Sequence, residues 1–144
     1  MILNISEAAN LGIHALTYLA YHYTSKRPVA TTEISDNFKI SSNHLSKVLQ
    51  RLTKMGLVKS IRGPRGGFVL AKKPEKITLL NIYEAIDGAF SLHSQCLLGE
   101  PTCDFDECIF GDLISEVQNK VHENFSNTTL ADIINKNPPA PVLI

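Results

Sequence analysis

No apolar run in this chain approaches the roughly 18 residues that a membrane-spanning helix requires, so neither a spanning segment nor a membrane partner is expected. The opening MILNISEAAN has neither the basic segment nor the apolar core of a secretory leader, which makes the cytoplasm the expected location. There is no GxGxxG or GxxxxGK loop to cradle a nucleotide phosphate, and no internal repeat. The five histidines lack zinc-hydrolase spacing, and no Ser/His/Asp set suggests itself, so an enzyme is not expected. Net charge is missing as well: 14 Lys and Arg balance 14 Asp and Glu, which on its face argues against a polyanionic partner.

What is present is 144 residues, 44% hydrophobic and 19% charged, the composition of a globular chain. The charge is segregated along it. Between Lys39 and Lys76 lie ten cations and one acid, Glu75. Beyond Lys76 there are ten acids, from Glu84 to Asp132, against Lys120 and Lys136 alone. Such segregation points to a polyanion site in one half of the chain; the plainer reading is a solvated basic face.

Apolar periodicity predicts a helix over residues 6–24, capped by Ser6, and a short second helix capped by Thr31 or Thr32 and ending at Phe38. A third helix opens at Ser41 or Ser42. It carries Leu45, Val48, Leu49, Leu52 and Met55 on one stripe, and Gly56 stops it. Leu57–Ser60 and Phe68–Ala71 read as strands around the turn-forming IRGPRGG. Thr78 caps a fourth helix that ends at Gly88, and a longer one runs from Ile109 to Phe125. The fold class expected is mainly α: a winged helix-turn-helix of three helices plus a two-stranded wing, followed by a long C-terminal dimerisation helix. The expected division is 1–90 for DNA binding, 91–108 for a cysteine-containing sensor loop, 109–134 for dimerisation and 135–144 for a flexible tail. The stripe Phe110, Leu113, Ile114, Val117, Val121 and Phe125 is expected to pair with a second copy, the alternative being packing on the first helix of its own chain.

With the Leu45 stripe buried, the opposite face of the third helix shows Ser42, Asn43, His44, Ser46, Lys47, Gln50, Arg51 and Lys54. Asn and Gln pair bidentately with adenine, Arg and Lys reach guanine acceptors, and Ser and Lys hold phosphates. The hairpin adds Arg62 and Arg65 on a tip whose Gly66 and Gly67 permit close approach to a DNA backbone or minor groove. These residues are the candidate contacts to double-stranded DNA. A protein-interaction adaptor built on the same fold is the competing reading.

CLLGEPTCDFDEC places Cys96, Cys103 and Cys108 within thirteen positions, in a chain with no other cysteine. An odd count in a cytoplasmic setting argues against a disulfide scaffold. Gly99 and Pro101 keep the segment non-helical, so the sulfurs can converge. Three thiolates select zinc, cuprous copper or an iron–sulfur cluster and leave a fourth position open. Thiol redox switching without metal, an inert loop, and a catalytic thiol or iron–sulfur centre in a redox or metal-handling enzyme are the other readings.

GLVKSIRGPRGGFVLAKKPEKITLLNIYEAIDG, residues 56–88, resembles the wing and following helix of the IscR/NsrR/RirA/CymR-type regulators, the Rrf (type two) family. ISSNHLSKVLQRL, residues 40–52, is similar to that family's recognition helix. The resemblance covers about 1–125 and implies a homodimeric winged-helix transcription regulator, usually a repressor, on a palindromic operator. It also implies an iron–sulfur cluster, 2Fe–2S or 4Fe–4S, on Cys96, Cys103 and Cys108, with zinc or no cofactor as the alternative. The sequence departs from the family pattern in spacing, with six and then four residues between cysteines where five and five is nearer the rule. It also departs at the fourth ligand. Asn10 stands where one branch has an aspartate, and Ile109, Phe110 and Gly111 follow the third cysteine where another has a histidine. Glu7, His14, His93, Asp104, Asp106 and Glu107 are the candidates left.

Overall fold

The computed structural model describes residues 5–91 and 104–138. Among them, six α-helices and one two-stranded sheet follow in the order α1 (Glu7–Tyr21), α2 (Thr31–Phe38), α3 (Ser42–Lys54), β1 (Val58–Ile61), β2 (Gly67–Leu70), α4 (Leu79–Asp87), α5 (Leu113–Asn127) and α6 (Leu130–Lys136). A short 3-10 turn, Pro74–Lys76, joins β2 to α4.

Local chemistry accounts for most helix ends. The Ser6 hydroxyl accepts from the Ala9 amide, and the Ser41 hydroxyl from the His44 amide, each satisfying an orphan donor of the first turn. Thr78 and Asn81 form a reciprocal capping box at the start of α4. Gly56, at φ +78°, takes the left-handed conformation that stops α3. α2 departs from expectation: its N-cap is Ala30, not Thr31 or Thr32, and it has no side-chain cap. α1 stops at Tyr21, short of 24. The His22 amide closes onto Leu19, and Lys26 at φ +54° turns the chain away.

The core gathers Leu16 and Leu19 of α1, Ile34 of α2, and Leu45, Leu49 and Leu52 of α3 with Ile82 of α4. Sequestering the α3 stripe leaves its polar face outward. The two strands pair antiparallel, Val58 with Leu70 through Ile61 with Gly67, one residue off the expected bounds. Beyond β2 lies a third partner that the sequence pattern missed: Val29 bridges Phe68, through amide–carbonyl bonds of 3.0 and 2.8 Å.

The C-terminal part also differs. Gly111 at φ +58° and a Cys108–Gly111 turn delay the start of α5 to Leu113, four residues past the expected Ile109. A further helix, α6, packs on α1, and Thr129 bridges Thr78. Phe125 of α5 meets Tyr83 of α4 at a ring distance of 6.1 Å. This region therefore folds in part onto its own chain, but α5 packs chiefly on α4, where the alternative had its stripe on the first helix. Phe105, Ile109, Phe110 and Leu113 stay exposed, at 65%, 68%, 45% and 50% of their surface.

Candidate nucleic-acid interface

α3 presents Asn43, Lys47, Gln50, Arg51 and Lys54 to solvent, while Ser42, His44 and Ser46 are half-buried. Lys47, Gln50, Arg51 and Lys54 fall at i, i+3, i+4 and i+7 and so share one face. Two of the cations, Arg51 and Lys54, sit in the last turn, where they complement the negative end of the helix dipole.

The wing tip holds Arg62, Gly63, Pro64 and Arg65, all exposed. The Gly66 amide donates to the Gly63 carbonyl at 2.9 Å and closes the turn. Gly66 and Gly67, expected as points of close approach to DNA, have a structural duty. A Cβ on Gly66 would stand 2.2 Å from the Ile61 carbonyl oxygen, and one on Gly67 would stand 2.4 Å from that of Val29. Both glycines therefore let backbone pack on backbone inside the wing.

Among the described residues the sole ion pair is Arg27–Glu33, so none of the described carboxylates pairs with the cations of α3 or the wing. Unpaired cations grouped on one helix face and the adjacent hairpin are what binding a phosphate backbone requires. Arg51 has an additional partner. Its Nε donates to the Ala85 carbonyl at 3.0 Å, near the end of α4, and this leaves the terminal guanidinium nitrogens for another acceptor. The same C-terminal end of α4 makes a second contact: Asp87 accepts from both the backbone amide and the hydroxyl of Ser6. Val29 and Ala85 are the positioning residues that sequence reasoning missed. Both act through the backbone, which leaves no trace in side-chain type.

At the α1–α2 elbow, Arg27 grips Glu33 with both terminal nitrogens, at 2.9 and 2.8 Å, and the Tyr18 hydroxyl donates to the same carboxylate at 2.9 Å. The guanidinium holds Glu33 below its ordinary range against the opposing effect of burial. Burial and then Arg27 hold His22 below the ordinary imidazole value.

Of the three cysteines, Cys108 is free and exposed; Cys96 and Cys103, with His93, lie outside the described residues. Among the described residues no three His, Cys, Asp or Glu side chains converge as a metal group. Asp104, Asp106 and Glu107 are exposed beside Cys108. Glu7, Asn10 and His14 are exposed on α1, where His14 Nδ1 lies 2.8 Å from the Asn10 carbonyl. Thiolates are the ligands an iron–sulfur cluster takes, and Cys108 is the one thiol that the described residues place.

A three-helix core, a reading helix with an open cationic face and a basic hairpin define a winged helix-turn-helix DNA-binding protein. The family model for Rrf2, described as an iron-dependent transcriptional regulator, matches residues 5–136, and the chain belongs to that family. It is 38% identical over 133 residues to a protein of Aquifex aeolicus assigned as an HTH-type transcriptional regulator, covering 90% of each chain. It is 27% identical to the HTH-type transcriptional regulator IscR of Pectobacterium atrosepticum, covering 92% of this chain and 80% of that one. Among solved structures, CymR, the global cysteine regulator of B. subtilis, superposes with a TM-score of 0.77 at 27% identity, covering 94% of this chain and 98% of CymR. IscR of T. potens superposes at 0.71 with 28% identity, covering 93% and 88%. The chain is thus a transcription regulator and not an enzyme. No helix among the described residues is long and apolar enough to cross a membrane.

Proposed function

We propose that the chain is a cytoplasmic homodimeric repressor that reads a palindromic operator with α3 and the wing, its affinity set by an iron–sulfur cluster on Cys96, Cys103 and Cys108. The observation that carries this reading is the uncompensated cationic surface of α3 and the wing. Asn43, Lys47, Gln50 and Arg51 face base edges, and Arg62 and Arg65 take the backbone or minor groove. The exposed apolar cluster Phe105, Ile109, Phe110 and Leu113 supports pairing with a second copy, which would space two reading helices about one DNA turn apart. Cys96, Cys103 and Cys108 would hold the iron–sulfur cluster, with Glu7, His14, His93, Asp104, Asp106 or Glu107 for a fourth position, and its gain or loss would change operator affinity. In sequence the cysteine segment follows α4, and the Ala85 carbonyl of α4 holds Arg51 of α3, which would let a change in that segment reach the reading helix through α4.

The test is anaerobic purification with visible spectrum and iron, sulfide and zinc analysis, followed by duplex binding across a salt series. Expected are bound iron and sulfide, binding that weakens steeply with salt, and loss of the visible bands and of the operator response in Cys103→Ala. A dimer with no preference for any duplex at low salt, cluster present or absent, refutes the DNA reading. Intact DNA binding with no iron or sulfide selects the second reading, a thiol or zinc switch, for which the exposed thiol of Cys108 is the supporting observation.

A further inference from the structure

A cavity of about 350 Å³ opens between the wing strands and the C-terminal end of α1. Small-molecule pockets run from ~300 Å³ upward, mostly apolar, with a few polar groups that fix orientation. Tyr23, Phe68 and Leu70 form apolar wall here, and Lys26, Arg27 and Lys59 stand among them. Among the described residues no acid lines the cavity. Arg27 has its charge engaged by Glu33, whereas Lys26 and Lys59 are exposed and have no ion pair among the described residues. The site is therefore positive on balance. Lys26 also holds φ +54°, a conformation a non-glycine residue rarely adopts and one that clusters at ligand clamps.

We propose that this cavity binds a small aromatic carboxylate, with the ring among Tyr23, Phe68 and His22 and the carboxylate held by Lys26 and Lys59. A concave apolar wall serves no purpose for a DNA phosphate, which is why a ligand with a ring is favoured over a duplex contact. β1 and β2 form one wall and also carry the Arg62–Arg65 tip. Occupancy therefore ties the wing to α1 and alters operator affinity. That consequence rests on the DNA-binding reading; the binding itself does not.

The test titrates the full chain with 2-naphthoate and with neutral 2-naphthamide by calorimetry, and maps backbone amide shifts. Expected are naphthoate binding, shift changes centred on residues 22–28 and 67–70, and an affinity for the amide at least about tenfold lower, as loss of a charge-assisted contact entails. The double variant Lys26→Gln, Lys59→Gln should bind naphthoate no better than the amide while melting like the parent. The proposal is overturned if naphthoate does not bind, if the amide binds equally, if shifts fall on residues 104–113 instead, or if the double variant loses duplex affinity but keeps its naphthoate affinity. Naphthoate binding that persists in a chain with no affinity for any duplex would refute only the DNA reading.

Discussion

Replacing Gly67 by alanine is the sharpest probe of how the wing is held. An added Cβ would lie 2.4 Å from the Val29 carbonyl oxygen, 2.5 Å from its carbon and 2.8 Å from the Ala30 nitrogen. All three are backbone atoms, so no side chain can swing away, and β2 must move off Val29. That breaks the bonds from the Val29 amide to the Phe68 carbonyl and from the Phe68 amide to the Val29 carbonyl. At about 1 kcal/mol net for each hydrogen bond, the loss is about 2 kcal/mol. For a domain of this size that lowers Tm by roughly 6 °C. Gly56→Ala is the control: it also occupies a left-handed position, φ +78°, but its Cβ meets nothing within 4 Å, so it suffers backbone strain alone and leaves the wing in place. Thermal unfolding by circular dichroism gives the stability, and amide hydrogen exchange at Val29 and Phe68 reports the bridge. Gly67→Ala should expose both amides and weaken duplex binding through the displaced tip; Gly56→Ala should do neither. A Gly67→Ala protein that melts like the parent with both amides still protected would refute the reasoning.

The remaining expectations concern charge, acid and assembly. Arg65→Ala should weaken binding about equally on every duplex and flatten the log affinity against log salt plot by about 0.9, the contribution of one phosphate contact; a change confined to one sequence would mean that Arg65 reads bases. Because Arg27 depresses the carboxyl of Glu33, this pair stabilises the fold above the ordinary carboxylate pKa, and the stabilisation is lost as pH falls through the folded-state value. His22, held low by burial, acts with the same sign, since protonation below its ordinary value favours the unfolded chain. Glu33→Gln should therefore cost about 0.5 kcal/mol at pH 7, a small figure because the side chains of the pair are 46% and 34% exposed, and the deficit should shrink as pH falls below the ordinary carboxylate pKa in urea titrations. An equal deficit at every pH would show that charge is not its source. If the proposed dimer pairs through the exposed apolar cluster, Leu113→Asp should shift it to a monomer in sedimentation without lowering Tm, because Leu113 is half exposed in the single chain; a dimer unchanged by the substitution would refute that interface.

The reading helix was legible from residue types alone. Of its expected stripe Leu45, Val48, Leu49 and Leu52 are buried as the spacing requires, whereas Met55, at the C-cap, is 56% exposed; Ser41 and Gly56 mark its ends. The same holds for the Ser6 and Thr78 caps and for the turn formers of the wing. Each of these rests on a side chain acting within three or four residues of itself, a distance over which one-dimensional pattern and three-dimensional contact coincide. The segregated cations also predicted an open positive surface, since ten like charges in one segment with a single acid find few partners inside it.

Other features were decided by tertiary structure. Arg51 reaches a carbonyl 34 residues away, Val29 joins the sheet across an intervening helix-turn-helix, and Thr129 meets Thr78. α6 packs on α1, although only the stripe before it had been read. In the first three cases an acceptor or donor of the main chain does the holding, and every residue carries that group, so composition and periodicity cannot single one out. The cavity beside Lys26 has the same origin: its walls come from a helix end and two strands that only the folded chain brings together.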